Sequence, residues 1–183
     1  MQADQSCFVV YKFTAMKKNQ ENFHIVLFEP EIPPNTGNIA RLTAATGASL
    51  HLVGKLGFSL DDRYLKRAGL DYWDKVDLHR WDSLAHLQTA FPSGRFWYLT
   101  TKHTHSCFQE GLFQPGDFIV FGCETSGLPE ELLAAKQDKC LTIPMPGKVR
   151  SLNLSNAVAV VLYEAMRQND MLRQVDEQMN TEM

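Results

Sequence analysis

The sequence has no C-x-x-C pair. Its four cysteines, Cys7, Cys107, Cys123 and Cys140, are widely spaced, which predicts reduced thiols in a cytoplasmic chain rather than a zinc ribbon or a disulfide framework. It also lacks a long apolar run: the stretch around Ala157 to Tyr163 falls well short of the roughly 20 residues that cross a bilayer, so no membrane span is expected. Near the N-terminus, Lys12 interrupts the apolar Cys7 to Tyr11 and no basic segment precedes it, so no signal peptide is read. Excess positive charge is missing as well. With 18 Lys and Arg against 21 Asp and Glu the net charge is −3, which excludes a protein that coats nucleic acid by bulk charge. Any nucleic-acid partner must find its cations gathered on one face. There is no G-x-G-x-x-G after the first strand, no G-x-x-x-x-G-K-[ST] and no G-x-S-x-G, so dinucleotide, P-loop and serine-hydrolase readings lose their main support. His103, His105 and Cys107 alternate as metal ligands might, but without the usual spacing or a fourth ligand, so no metal is expected.

What is present is enough apolar residue for one core. At 183 residues, 44% hydrophobic and 21% charged, the chain fits one globular domain and not two. Residues 1–22 turn polar (Lys17 to Asn22) without periodicity and are read as a flexible extension, with Met16 as an alternative start. Residues 23–168 are read as the domain, and 169–183 as a polar tail. Within the domain, His24 to Glu29 is a short apolar run closed by Pro30, as in a buried strand. Pro33 to Gly37 reads as a loop and Asn38 to Gly47 as a helix with Gly47 as its stop. Leu50 to Val53 is a second strand, completing a β-α-β unit, which points to a parallel sheet. Helices are expected at Asp61 to Gly69, Ser83 to Ala90, Pro129 to Lys136 and Leu154 to Arg167. Strands are expected at Phe96 to Thr101, Phe118 to Gly122 and Leu141 to Ile143. The last helix carries Val158, Val161, Leu162 and Ala165 at helical spacing, a stripe that core burial explains in full. The fold class is α/β.

Three segments follow predicted strands, where open α/β sheets place their ligands. They are Asn35-Thr36-Gly37-Asn38-Ile39-Ala40-Arg41, Phe121-Gly122-Cys123-Glu124-Thr125-Ser126-Gly127-Leu128-Pro129, and the run from Ile143 through Met145, Lys148, Arg150, Ser151, Leu152 and Asn153 to Ala157. Each is ambiguous alone. Gly122 and Gly127 suit a close approach to a ligand or an ordinary tight turn. Capping of the last helix accounts for one or two of Ser151, Asn153, Ser155 and Asn156, but not for all four. Arg41 is either a surface arginine or a phosphate fork. Arg63, Lys66 and Arg67, spaced i, i+3, i+4, form one basic helix face, solvated or RNA-facing. Lys55, Lys102, Lys148 and Arg150 fall near the sheet exits and could add a local positive surface.

Together and in this order, N-x-x-G-N-x-x-R, F-G-x-E-x-x-G-L-P and I-P-M-x(6)-S-L-N-L-S-N-A resemble the three motifs of SPOUT RNA 2′-O-methyltransferases, over residues 24–168. Phe28 to Asn38 and Ala68 to Trp73, with no separate RNA-binding domain, resemble the family that methylates the wobble nucleotide of tRNA. The resemblance implies a single-domain parallel sheet with helices on both faces and a C-terminal trefoil knot, a homodimer, S-adenosylmethionine as cofactor and S-adenosylhomocysteine as product. It implies that tRNA, in particular leucine tRNA, is methylated on the ribose of cytidine or modified uridine 34. Carried over position by position, the cofactor would be held by Leu99, Thr100, Gly122, Glu124, Gly127, Ile143, Met145, Ser151 and Leu152. The catalytic candidates become Arg41, Ser151 and Asn153, with Asn35 and Glu124 as positioning groups. Asn35, Arg63, Lys66 and Arg67 become substrate-binding candidates. The sequence departs from the family in its N-terminal extension and at Gly147-Lys148-Val149. The rival readings are a SPOUT enzyme acting on another tRNA position or on rRNA, and a non-catalytic RNA-binding relative, against which intact Arg41, Ser151 and Asn153 count.

Overall fold

The computed structural model describes residues 22–59 and 75–172. The N-terminal extension, the helix expected at Asp61 to Gly69 and most of the polar tail lie outside the described residues.

Six strands form one parallel sheet in the order β3-β2-β1-β5-β4-β6: β1 (His24–Phe28), β2 (Ser49–Val53), β3 (Leu78–Trp81), β4 (Phe96–Leu99), β5 (Phe118–Phe121) and β6 (Cys140–Leu141). Each of the five neighbouring pairs is parallel. β1, β2, β4 and β5 are mostly apolar because such a sheet is buried on both faces, with His24, Ser49 and His51 as buried polar exceptions. Alternation within each strand divides the core. Ile25, Leu27, Leu50, Leu52, Trp97, Leu99, Ile119 and Phe121 meet one set of helices. Val26, Val53, Tyr98, Phe118 and Val120 meet the other.

The first face is covered by α1 (Pro33–Thr46) and α4 (Leu154–Gln168), through Ile39 and Ala40 of α1 and the predicted stripe Val158, Val161, Leu162 and Ala165 of α4. On the second face lie α2 (Leu84–Ala90) and α3 (Glu130–Ala135), through Leu84, Leu87, Leu132 and Leu133. Ser83 caps α2 by accepting the His86 N–H at 3.1 Å. Helices therefore lie on both faces, as the α/β reading expects.

Two expectations from the sequence are corrected. Pro33 to Gly37 is not a loop but the first turn of α1, with proline at its first positions. Proline is suited to that turn, where its missing N–H is not needed and its φ is already helical. Strand β3 was not expected at all. It is an edge strand, mostly half-exposed, so Leu78-His79-Arg80-Trp81 carries no apolar run to announce it. At the other end of α1, Gly47 takes φ 75° and stops the helix as predicted.

Candidate functional site

Because β1, β5, β4 and β6 are consecutive in the sheet, the loops that leave their carboxyl ends converge. They enclose a cleft of roughly 650 Å³, within the range of small-molecule sites. The sheet order reverses beside it, since β1 leads through α1 to β2 on one side while β5 lies on the other. Such a switch point is where open α/β sheets bind ligands.

Leu99, Thr100, Gly122, Glu124, Gly127, Ile143, Met145, Ser151 and Leu152 all line this cleft, as do Asn35 and Asn153. Arg41 does not: it lies exposed on α1, beyond the cleft lining. Arg63, Lys66 and Arg67 lie outside the described residues.

The loop after β5 is built around two glycines. A Cβ on Gly122 would stand 2.1 Å from the carbonyl carbon of Gly127 and 2.3 Å from the Leu128 nitrogen, so only glycine lets the loop fold back on itself. Gly127 takes φ 73° and its N–H closes the turn onto the Cys123 carbonyl at 3.0 Å. A side chain on Gly127 would enter open space, leaving bare backbone beside the cleft. Burial alone would raise the Cys123 thiol, but hydrogen bonds from Ser126 and Thr125 hold it below its ordinary pKa. The Cys123 sulfur lies 3.0 Å from Ser126 Oγ.

Glu124 crosses to the start of α1. Its carboxylate accepts the N–H of Glu31 at 2.9 Å, that of Ile32 at 3.3 Å and the Asn35 side-chain amide at 2.9 Å. Ile32, the residue at the N-cap, has no side chain able to cap the helix. Glu124 supplies the missing acceptor and places its negative charge at the positive end of the helix dipole. A second link runs back, Thr125 Oγ1 donating to Glu31 Oε2 at 2.8 Å.

The chain of bonds continues into the third segment. Asn153 Nδ2 donates to Asn35 Oδ1 at 3.0 Å, and Asn153 Oδ1 accepts from the Ser155 N–H and hydroxyl at 2.9 and 2.7 Å. Asn153 is the N-cap of α4, so one of the four polar residues does cap the helix. The same side chain also fixes Asn35 and, through it, Glu124.

The same cleft is also lined by Leu99, Phe121, Ile143, Met145, Leu152 and Leu154. Apolar walls, exposed backbone and a few fixed polar groups suit a flat heterocycle with a polar tail, which is the chemistry of an adenosyl cofactor. The residues present fit that group.

Sequence reasoning did not single out Ile32, Phe121 or Leu154 as cleft residues, nor Glu31 as a partner of Thr125. Glu31 and Thr125 are 94 positions apart in the chain, and the parallel register of β1 on β5 is what brings them together. Among the described residues no three His, Cys, Asp or Glu side chains gather as a metal site would need. No helix among them is long and apolar enough to cross a membrane.

The sequence profile of the SpoU rRNA Methylase family matches residues 22–163. The tRNA (cytidine(34)-2′-O)-methyltransferase of Acidovorax sp. (strain JS42) is 52% identical over 155 residues, covering 82% of this chain and 94% of that protein. A solved structure described as giving structural insights into the 2-OH methylation of C/U34 on tRNA is 49% identical with a TM-score of 0.78, covering 82% of this chain and 98% of that one. The SpoU methyltransferase AviRb of Streptomyces viridochromogenes, crystallised with AdoMet, is 24% identical with a TM-score of 0.73, covering 83% of this chain and 62% of that one. That last likeness speaks for the fold alone.

Proposed function

This chain belongs to the SpoU rRNA methylase family, and on that premise we propose that it is an S-adenosylmethionine-dependent tRNA (cytidine(34)-2′-O)-methyltransferase. The observation that carries the reading is the Glu124–Asn35–Asn153 chain of hydrogen bonds, set beside the Gly122 to Gly127 turn in one cleft. It unites the three motif segments in a protein half identical to enzymes of that activity. The rRNA substrate in the family's description is the second reading. Near-full-length identity of about half to a tRNA enzyme favours tRNA.

When bound, the cofactor supplies an electrophilic methyl group on a sulfonium, open to in-line attack by a ribose 2′-hydroxyl. The protein's task is alignment and charge. Leu99, Ile143, Met145 and Leu152 hold the adenosyl part, while Gly122 and Gly127 admit its close approach. Ser151 and Asn153 sit at the same cleft and orient the ribose, Asn153 with its amide already held in place by Asn35 and Ser155. Arg41 stands exposed on α1, beyond the cleft lining, where bound RNA would have to meet it. Its guanidinium stays protonated, so it acts as the cation that holds the neighbouring phosphate and steadies the developing alkoxide. The proton passes to a phosphate oxygen or to water.

Residues 23–168 form the working domain, with Arg63, Lys66 and Arg67 among its RNA contacts and leucine tRNA as the substrate in the cytoplasm. The C-terminal trefoil knot is supported by the path of the chain. β6 lies at the sheet edge beyond β4, yet twelve residues later Asn153 bonds to Asn35, at the exit of β1. The segment between must cross the ends of β4 and β5. A homodimer is supported by Val160 and Tyr163 of α4, 37% and 46% exposed and three residues apart on one face, an apolar surface suited to a second copy.

The test is transfer from radiolabelled S-adenosylmethionine to tRNA lacking the modification, with the methyl mapped by nuclease digestion and mass spectrometry. A 2′-O-methyl at nucleotide 34 is expected. Methyl at another position, or on rRNA alone, overturns the wobble assignment.

A further inference from the structure

Three of the cleft's lining residues carry a full charge: Lys102, Glu124 and Arg150. Two of them are committed. Lys102 Nζ lies 2.6 Å from Glu130 Oε1, and the Glu124 carboxylate is held by three N–H groups at the start of α1. Arg150 is exposed and, among the described residues, has neither an ion pair nor a hydrogen bond. Among the described residues it is thus the one charged side chain of the cleft lining with no polar partner, in a protein whose net charge is −3.

Its position in the chain sharpens this. Arg150 directly precedes Ser151 and stands three residues before Asn153, whose amide is locked to Asn35. The run from Pro146 to Leu152 is exposed throughout, with Val149 at 68%, so Arg150 sits at the rim, open to solvent, and not deep among the apolar walls. A guanidinium there presents a planar fork of donors that matches phosphate two N–H groups at a time.

We propose that Arg150 is an RNA-positioning residue that grips a phosphodiester next to the target ribose and so sets the ribose against Ser151 and Asn153. The proposal rests on the RNA-methylating function above and adds to it the group that fixes the register of the strand. The same fork could meet a different anion, the carboxylate of the cofactor's amino-acid end, and the experiment separates the two.

The measurements are tRNA affinity at several salt concentrations, KM and kcat for methyl transfer, and S-adenosylhomocysteine affinity by calorimetry, for the full chain and for R150A and R150K. Loss of one charged phosphate contact predicts roughly tenfold weaker tRNA binding for R150A. It also predicts a plot of log affinity against log salt shallower by about one. KM for tRNA should rise more than kcat falls, with S-adenosylhomocysteine affinity unchanged. R150K should restore the salt slope but only part of the affinity, because it returns the charge without the fork. Weaker S-adenosylhomocysteine binding with unaltered tRNA affinity would assign Arg150 to the cofactor and overturn the proposal. So would a variant that binds and methylates tRNA as the unaltered chain does, a result that leaves the proposed function standing. An unaltered chain that binds the cofactor yet methylates no tRNA would overturn the function, and the role of Arg150 with it.

Discussion

Asn153 donates its side-chain amide to Asn35 at 3.0 Å, although 118 residues of chain separate them. That bond joins the cap of α4 to the first turn of α1. Because Asn35 also bonds Glu124, it links both helices to the turn that follows β5. The Glu124 carboxylate is therefore the point at which all three segments of the cleft are tied together.

Replacing that carboxylate should loosen all three segments. In Glu124→Ala the N–H groups of Glu31 and Ile32 lose their acceptor, as in the loss of a helix cap. The expected cost is about 1–2 kcal/mol, or a Tm lower by roughly 3–6 °C, read by thermal denaturation. Methyl transfer should fall further than stability does, because Asn35 loses its partner as well. A variant with unchanged Tm and activity would show that the cap carries no weight.

Gly122→Ala tests the turn. The added methyl would stand 2.1 Å from the Gly127 carbonyl carbon, a clash that only backbone movement relieves. S-adenosylhomocysteine affinity should drop by about 5- to 150-fold if the overpacking cost of roughly 1–3 kcal/mol falls on the binding-competent turn. Calorimetry on the folded variant gives the answer.

Arg41 lies outside the lining of the cleft, so Arg41→Ala should leave cofactor affinity intact. Methyl transfer should fall by roughly 100-fold or more, the usual cost of removing a group that stabilises transition-state charge. Loss of cofactor affinity instead would move Arg41 from the reaction to the binding site.

Acid should destabilise the fold through its buried histidines. Trp81 Nε1 donates to His51 Nδ1 at 3.0 Å, so neutral His51 carries its proton on Nε2 and gives it to His24 Nδ1, also at 3.0 Å. Burial drives the pKa of His24 down to about 4 and that of His51 well below 6.5. The unfolded chain takes up these protons below about 6.5 and the folded chain does not. Stability is therefore full above that pH and is lost as pH falls toward 4, by on the order of 3 kcal/mol for His24 alone. Asp77 opposes nothing in this window. Bonded by His79 and Ser49, its carboxyl is held down to about 2, and its contribution is lost only below the ordinary carboxylate range. Denaturation midpoints in urea measured from pH 7.5 to pH 4 give the slope. A flat profile would mean that the histidine pair opens to water without cost.

The strands His24–Phe28, Ser49–Val53, Phe96–Leu99 and Phe118–Phe121 were legible because a strand buried on both faces is mostly apolar, and the stripe on α4 because one helix face meets the core. The three motif segments were legible as strand exits rich in glycine, asparagine and serine, each ambiguous alone, and their roles came from the resemblance of all three together to a known family. Strand β3 was not, since an edge strand tolerates the polar and aromatic mix of Leu78 to Trp81. Nor was the true start of α1, because its cap is supplied by Glu124 and not by any neighbour in sequence. Tertiary structure alone decided that Glu31, Asn35, Glu124 and Asn153 meet and that Arg150, among the described residues, has no counter-charge. Those relations follow from the order in which parallel strands lie side by side, an order set by packing across the whole sheet and carried by no local pattern of residues.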